Sequence, residues 1–303
     1  MGLHDPAGGP AVSLARPQVP GFHPILVGDT LVTCISDGSL PAGIAALNNI
    51  GQEEARHLLD AAFAPPVPRT QVSTYLIQAG GRFALVDTGG GRQHMAPSVG
   101  FLADNLARAG VEPGQIDTVL LTHSHPDHSY GLVTSSGEAL FPNAEVLLHA
   151  EEACFWLSPG AETRLPPQAQ RYLVPTLASF APYQGRIRTF TGGEVFPTVT
   201  AVPLPGHTPG HSGYRIASGA DSLLIWGDVA HVPDIQLLRP EVGIAFDIDT
   251  AQAAETRRRV LEEVAVERQH IAGMHLHFPG FGHVERRGGG YGFVPSPWSD
   301  LPG

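Results

Sequence analysis

Cysteine is nearly absent from this chain. Cys34 and Cys154 are the only two in 303 residues. They form no C-x-x-C pair and are too few for a disulfide framework, so a disulfide-stapled scaffold is excluded and a reducing compartment is expected. Basic residues are scarce too. Eighteen Lys and Arg stand against 29 Asp and Glu, a formal net charge of -11. An acidic surface repels phosphate backbones, which argues against a nucleic-acid partner. Long apolar runs are missing. No stretch approaches the length of a membrane span, and Met1 to Pro20 is Gly/Pro-rich without the apolar h-region of a signal peptide. The expectation is a soluble, cytoplasmic chain with no membrane partner. A flexible arm over residues 1–21 would precede one domain over 22–303.

Other residues are plentiful. The 28 Pro and 36 Gly argue for many turns and against a helix bundle. A hydrophobic share of 42% in a chain this long is enough to bury a large core. Histidine occurs 15 times, and most of these residues fall in a few short clusters.

The densest cluster is Thr122-His123-Ser124-His125-Pro126-Asp127-His128. It follows the apolar run Thr118 to Leu121, which reads as a short buried strand. His123 and His125, two apart, face the same way in an extended segment. Asp127 and His128 are adjacent and diverge toward a second point. Imidazole nitrogen and carboxylate oxygen suit zinc and other borderline divalent metals.

Similar strand ends recur along the chain. Thr198 to Leu204 runs into Pro205-Gly206-His207-Thr208-Pro209-Gly210-His211, where His207 is preferred over His211 as a ligand because it lies nearer the strand. Leu223 to Trp226 ends at Gly227-Asp228, and one carboxylate can offer an oxygen to each of two metals. His231, three residues on, is read either as a group that touches substrate or donates a proton, or as a surface-loop residue. Ile271 to Gly280 reads as a strand running into a turn, with His275 and His277 on one side and one of them a ligand. Asp87, at the end of the strand Phe83 to Val86, is read either as a turn residue or as an acceptor that fixes a ligand histidine's tautomer. His149 reads as structural.

The remaining pattern is mixed. Strands are expected at Leu31 to Ser36, at Thr74 to Ile77 hairpinned with Phe83 to Val86, and at Glu145 to His149. Helices are expected at Asn49 to Ala62, Pro97 to Ala109 (closed by Gly110), from Gly131 onward beneath the site, and at Ala251 to Val266. Gly288 to Phe293 reads as a closing hairpin or an edge strand. Pro159 to Pro182 is the most irregular stretch and reads as a lid or insertion.

The H-x-H-x-D-H element, the G-H-T-P-G-H turn, the Gly-Asp strand end and the terminal His strand occur in that order. Together they resemble the metallo-β-lactamase superfamily from about Leu31 to Phe293. Gly227 to Val232, His275 to His283, Asp37-Gly38 and Phe155 to Ser158 resemble its methyl parathion hydrolase and lactonase branch. The resemblance implies an αβ/βα sandwich of two mixed β-sheets flanked by helices. It implies two divalent metal ions, zinc by preference: His123, His125 and His207 on one, Asp127, His128 and His275 on the other, Asp228 bridging. His277 stands where that branch usually has proline, at the rim of the site. Phe155 and Trp156 resemble pocket aromatics of the branch, and a homodimer is its usual assembly.

The function so implied is hydrolysis of lactones, carboxyl (aryl) esters or organophosphate triesters by a metal-bridging hydroxide. Asp127 and Asp228 would partly neutralise the metals, and His231 or a metal-bound water would protonate the leaving group. The alternatives are a glyoxalase II-like thioesterase and a mononuclear-iron persulfide dioxygenase. A nuclease would want a basic face, and nothing in the sequence offers a group for a β-lactam carboxylate.

Overall fold

In most strands of this protein, alternate residues are apolar on both faces, the pattern of a sheet covered on each side. The computed structural model describes residues 21–299 apart from Gln93, His94 and Gln168. The expected N-terminal arm lies outside the described residues except for Gly21. Two seven-stranded sheets account for most of the fold. The first runs in the spatial order Phe22–Val27, Thr30–Pro41, Arg69–Ala79, Arg82–Val86, Thr118–Leu120, Glu145–His149, Ile187–Phe190. The second runs Gly290–Pro295, Phe281–Arg287, His270–Ala272, Asp221–Ile225, Ser212–Ser218, Val199–Pro203, Gly193–Phe196. Both are mixed. Parallel pairing covers Arg82–Val86 through Ile187–Phe190 in the first and Asp221–Ile225 with His270–Ala272 in the second.

The strand period decides which side chain goes where. Tyr75, Ile77, Val86 and Leu120 from the first sheet meet Ile216, Leu223, Ile225 and Ala272 from the second in the inner core. Their neighbours Leu76, Leu85 and Val119 turn outward and pack with Leu102 and Leu106 of the helix Leu102–Arg108. Leu224 turns outward on the other side, under Val260, Leu261 and Val264 of the helix Thr250–Val266. Each fully buried Leu or Ile contributes about 1.5–3 kcal/mol. The result is the αβ/βα sandwich expected from the sequence. Among the described residues no helix is long and apolar enough to cross a membrane.

Several local expectations change. The helix expected from Pro97 starts only at Leu102, because Val99 bridges Gly38 and Gly100 adopts φ +94°. Gly110 does close that helix at φ +82°. No helix begins at Gly131. The chain instead forms a short helix Pro126–Ser129 and a single 3-10 turn Tyr130–Leu132. A Cβ at Gly131 would lie 1.7 Å from the Thr88 carbonyl oxygen, so the chain passes too close for any other residue. The stretch 159–182 is not irregular. It holds the helices Ala161–Arg164 and Gln170–Phe180, the second burying Leu173, Thr176 and Phe180 at helical spacing. The strand expected over Ile271 to Gly280 stops at Ala272, so His275 and His277 sit in a turn and need not share a side.

Candidate metal centre

All the strand ends singled out in the sequence lie at one edge of the sandwich, where hydrogen bonds tie the sheets together. Ser212 N–H donates to the Thr122 carbonyl at 2.9 Å, and Ser73 N–H to the Met274 carbonyl at 3.0 Å. The Tyr214 hydroxyl donates to the Leu121 carbonyl at 2.6 Å and the Tyr75 hydroxyl to the Gly273 carbonyl at 2.9 Å. The loops leaving this edge are therefore held on both sides.

The His-rich loop divides into two parts. His123 and His125 are extended; then Pro126 sits at the first position of Pro126–Ser129, where its missing N–H is harmless. Asp127 and His128 fall on this helical turn and so diverge from the first pair. Ser129 Oγ donates to the Ser124 and His125 carbonyls and closes the loop.

The donor atoms converge in two groups. His123 Nε2 is 3.0 Å from His125 Nδ1, which is 2.9 Å from His207 Nε2. Asp127 Oδ2 is 3.6 Å from both His128 Nε2 and His275 Nε2. Asp228 Oδ2 lies between the groups, 3.7 Å from His123 Nε2, 3.4 Å from His207 Nε2, 3.3 Å from His128 Nε2 and 3.1 Å from His275 Nε2. Two donors on one zinc at bonds of about 2.0–2.1 Å stand roughly 3–3.5 Å apart, which matches this spacing.

Outer partners orient most of these rings. His128 Nδ1–H donates to Asp87 at 2.7 Å, His207 Nδ1–H to Asp247 at 2.8 Å, and His275 Nδ1–H to the Gln71 carbonyl at 2.6 Å. His123 Nδ1 lies 3.0 Å from the Thr122 hydroxyl. In the neutral ring such contacts leave Nε2 as the bare nitrogen facing the site. Asp87 takes φ +60° at the strand end, and it accepts from Thr122 N–H, the Thr122 hydroxyl and His128. Asp247, Thr122 and the Gln71 carbonyl carry no sequence signal of their own.

Electrostatics follows from burial and from this geometry. Burial, reinforced by neighbouring imidazoles, holds His123 and His125 well below the ordinary histidine range. Their lone pairs are therefore free at neutral pH. Burial alone would push Asp228 up, but the rings of His128, His275, His231 and His123 outweigh it and hold the carboxyl well below its usual range. Burial also opposes charge on His128, yet Asp228, Asp127 and Asp87 raise it well above the usual value.

His211 belongs to the scaffold. Its Nδ1–H donates to the Leu204 carbonyl at 2.7 Å, and its Nε2 accepts from Asp228 N–H at 2.9 Å. Neither nitrogen is left for a ligand, and His207 takes the place in the cluster. His149 caps the helix Ala150–Leu157 by accepting from Glu151 N–H at 3.2 Å. His231 is 7% exposed, which rules out the surface-loop alternative; its Nε2 is 3.0 Å from Asp228 Oδ2.

This fold, with this order of strand-end donors, has known counterparts. A family model, the metallo-beta-lactamase superfamily, matches residues 67–267. The chain belongs to the metallo-beta-lactamase superfamily. A crystal structure of hydrolase AbOPH, of the beta lactamase superfamily, is 33% identical with a TM-score of 0.88, covering 93% of this chain and all of that one. AidC, a dizinc quorum-quenching lactonase, shares the fold at 24% identity and a TM-score of 0.86, over 92% of this chain and 99% of that one. The uncharacterized protein YobT of Bacillus subtilis (strain 168) is 35% identical over 94 residues, 30% of this chain and only 37% of that protein. This chain is thus a metallo-hydrolase of the superfamily, with a His/Asp cluster suited to divalent metal. The superfamily match ends at residue 267, before His275.

The side chains expected around the substrate differ in placement. Trp156 is wholly buried, edge-on to His125 with ring centroids 5.7 Å apart, and Phe155 packs with it. Both belong to an apolar cluster with Ala161, Leu165 and Leu173, so they stand behind the ligand loop. His277 is exposed and pairs with Asp234 at 3.2 Å. Phe246 and Phe278, about 40% exposed, adjoin Asp247 and His277 in the chain and went unnoticed in the sequence.

A buried acid also escaped notice. Glu152 of Ala150–Leu157 accepts from Ser124 N–H at 2.8 Å, from the Thr208 hydroxyl at 2.6 Å and from Gly210 N–H at 3.3 Å. It joins the loop that carries His123 and His125 to the loop that carries His207. A Cβ at Gly210 would come within 2.3 Å of Glu152 N, so the second loop passes this helix at a distance only glycine allows.

Proposed function

We propose that this protein is a two-metal hydrolase whose main substrates are lactones and carboxyl esters, with phosphotriesters such as methyl parathion cleaved at the same site. The observation that carries this reading is the surroundings of Asp228. Its Oδ1 and His128 Nε2 are buried without a hydrogen-bond partner, amid imidazole nitrogens from separate segments of the chain. Buried polar atoms rarely go unsatisfied, and cations at this point would satisfy both. The donor set of imidazole and carboxylate fits zinc.

In this reading His123, His125 and His207 hold one cation, Asp127, His128 and His275 the other, and Asp228 faces both. The cations supply Lewis acidity for a carbonyl or phosphoryl oxygen and a nucleophilic water near neutral pH. The chain itself supplies orientation and charge balance. Asp87, Asp247 and the Gln71 carbonyl hold three of the rings in the tautomer that presents Nε2. Asp127 and Asp228 partly offset the cations' charge. In this reading His277 stands at the rim, Phe155 and Trp156 back His125, and an apolar or flat substrate is expected. The acidic net charge disfavours phosphate monoesters. AidC supports the lactone assignment in that the same fold serves a dizinc lactonase there. Residues 22–303 act as one catalytic domain, since both sheets contribute donors, and a homodimer is part of the proposal.

The test is kcat/KM, on metal-analysed protein, for γ- and δ-lactones, aryl acetates, methyl parathion, a glutathione thioester and a cephalosporin. Two zinc ions per chain and turnover of lactones or aryl esters are expected. Activity confined to the thioester or the cephalosporin would overturn the substrate assignment. A single tightly held iron would point to persulfide oxidation instead. Analytical ultracentrifugation checks the dimer.

A further inference from the structure

His231 touches the centre in a way the seven expected ligands do not explain. Its ring lies between one donor of each group, with centroids 4.7 Å from His207 and 5.1 Å from His275, the latter stacked at 24°. Its Nε2 comes within 3.0 Å of Asp228 Oδ2, nearer than the Nε2 of His123, His128, His207 or His275. The donor atoms of His207, Asp228 and His231 all lie within 4.8 Å of one another, close enough to share a cation. The backbone beneath the ring is pinned. Gln236 Oε1 accepts from His231 N–H at 2.7 Å and from Val232 N–H at 3.0 Å, and the Thr70 hydroxyl donates to the His231 carbonyl at 3.3 Å.

The other nitrogen supplies the independent observation. His231 Nδ1 is buried and has no hydrogen-bond partner. His123, His128, His207 and His275 each have a partner at Nδ1 that fixes which nitrogen carries the proton. Nothing fixes it at His231. The ring can present Nε2 to Asp228 as an N–H, or present it as a lone pair to a cation while Nδ1 keeps the proton. A neutral imidazole changes between these two forms without changing its charge.

We infer that His231 is an additional metal donor, sharing with His207 and Asp228 the cation that His123 and His125 also hold. This rests on the two-metal reading above and extends it. The ring joins as a fifth donor on that cation and can exchange between the metal and Asp228.

The test counts coordinated imidazoles directly. Wild-type protein labelled with 15N in its histidine rings and loaded with zinc should show six rings with a metal-shifted nitrogen: His123, His125, His128, His207, His275 and His231. Five rings, with His231 unshifted, would overturn the inference. The cobalt-substituted His231→Leu variant should lose one contact-shifted imidazole N–H signal relative to cobalt-substituted wild type. In competition titration it should hold the cation of the His123, His125 and His207 group at least about tenfold less tightly. An unchanged signal count and affinity would also overturn it. Wild-type protein that binds no cation would instead sink the two-metal reading itself, so the two failures are distinguishable. The labelled wild type answers the question even where the variant folds poorly.

Discussion

The Glu152 carboxylate lies 2.6 Å from the Thr208 hydroxyl, while its second oxygen lies 2.8 Å from Ser124 N–H. One wholly buried side chain therefore sets the separation of the two loops that bring His123, His125 and His207 together. Burial pushes this carboxyl up, and the three donors that it accepts from pull it back.

Replacing Glu152 should accordingly weaken both the fold and the metal centre. Glu152→Ala leaves Ser124 N–H and Gly210 N–H without acceptors, a loss of about 1–3 kcal/mol for each buried group left unsatisfied. Metal affinity should fall about 10- to 100-fold, and Glu152→Gln should recover part of both losses. Competition titration together with urea unfolding measures the two effects separately. Unchanged metal affinity in Glu152→Ala would refute the bracing role.

Asp247 receives His207 Nδ1–H at 2.8 Å, and its other oxygen accepts from Ile244 N–H at 3.0 Å. Asp247→Asn keeps the shape but removes the charge and leaves the tautomer of His207 less firmly set. About a tenfold loss of metal affinity is expected, with little change in fold. Circular dichroism and zinc competition check this, and equal affinity in variant and wild type would count against it.

The two terminal histidines should separate in function. His275 is buried with Nε2 on Asp228, whereas His277 is exposed and pairs with Asp234. His275→Ala should lower metal occupancy and remove most activity. His277→Ala should keep the metal and change the ranking of substrates. Elemental analysis of both variants decides the matter, and metal loss confined to His277→Ala would reverse the assignment.

Acid sensitivity should trace in part to a histidine far from the centre. Burial, reinforced by the stacked ring of His283 at 5.1 Å, lowers His270 from 6.5 to about 4. Its Nε2 lies 2.9 Å from the Ser296 hydroxyl. The folded protein keeps this ring neutral, so the unfolded chain binds the extra proton between those two values. The stability it contributes is complete above pH 6.5 and is lost as pH falls toward 4, by at most about 3 kcal/mol before solvent screening. His270→Gln should flatten the curve of unfolding free energy against pH across this window. Parallel curves for variant and wild type would contradict the assignment.

Residues close together in the chain were the legible part of this site. His123, His125, Asp127 and His128 share one loop after one strand, and their spacing alone sends them to two neighbouring points. The order of the later strand ends carried the resemblance to the metallo-β-lactamase superfamily, and the expected fold came with that resemblance. Strand periodicity sorted Ile77 from Leu76 and Leu223 from Leu224 between the inner and outer cores.

Spacing preferred His207 to His211 only because it lies nearer the strand that both follow. In the fold the Leu204 carbonyl and Asp228 N–H occupy both nitrogens of His211, while His207 stands in the cluster. Spacing could not separate His275 from His277, since the strand assumed to carry both ends at Ala272. The supporting partners were out of reach altogether. Glu152 meets Ser124 across 28 positions, Asp247 meets His207 across 40, and Gln71 meets His275 across 204. The donors could be read in short motifs because local backbone geometry aims them. Their tautomers and their mutual distances were set only when the two sheets closed face to face, because the groups that hold each ring come from distant segments of the chain.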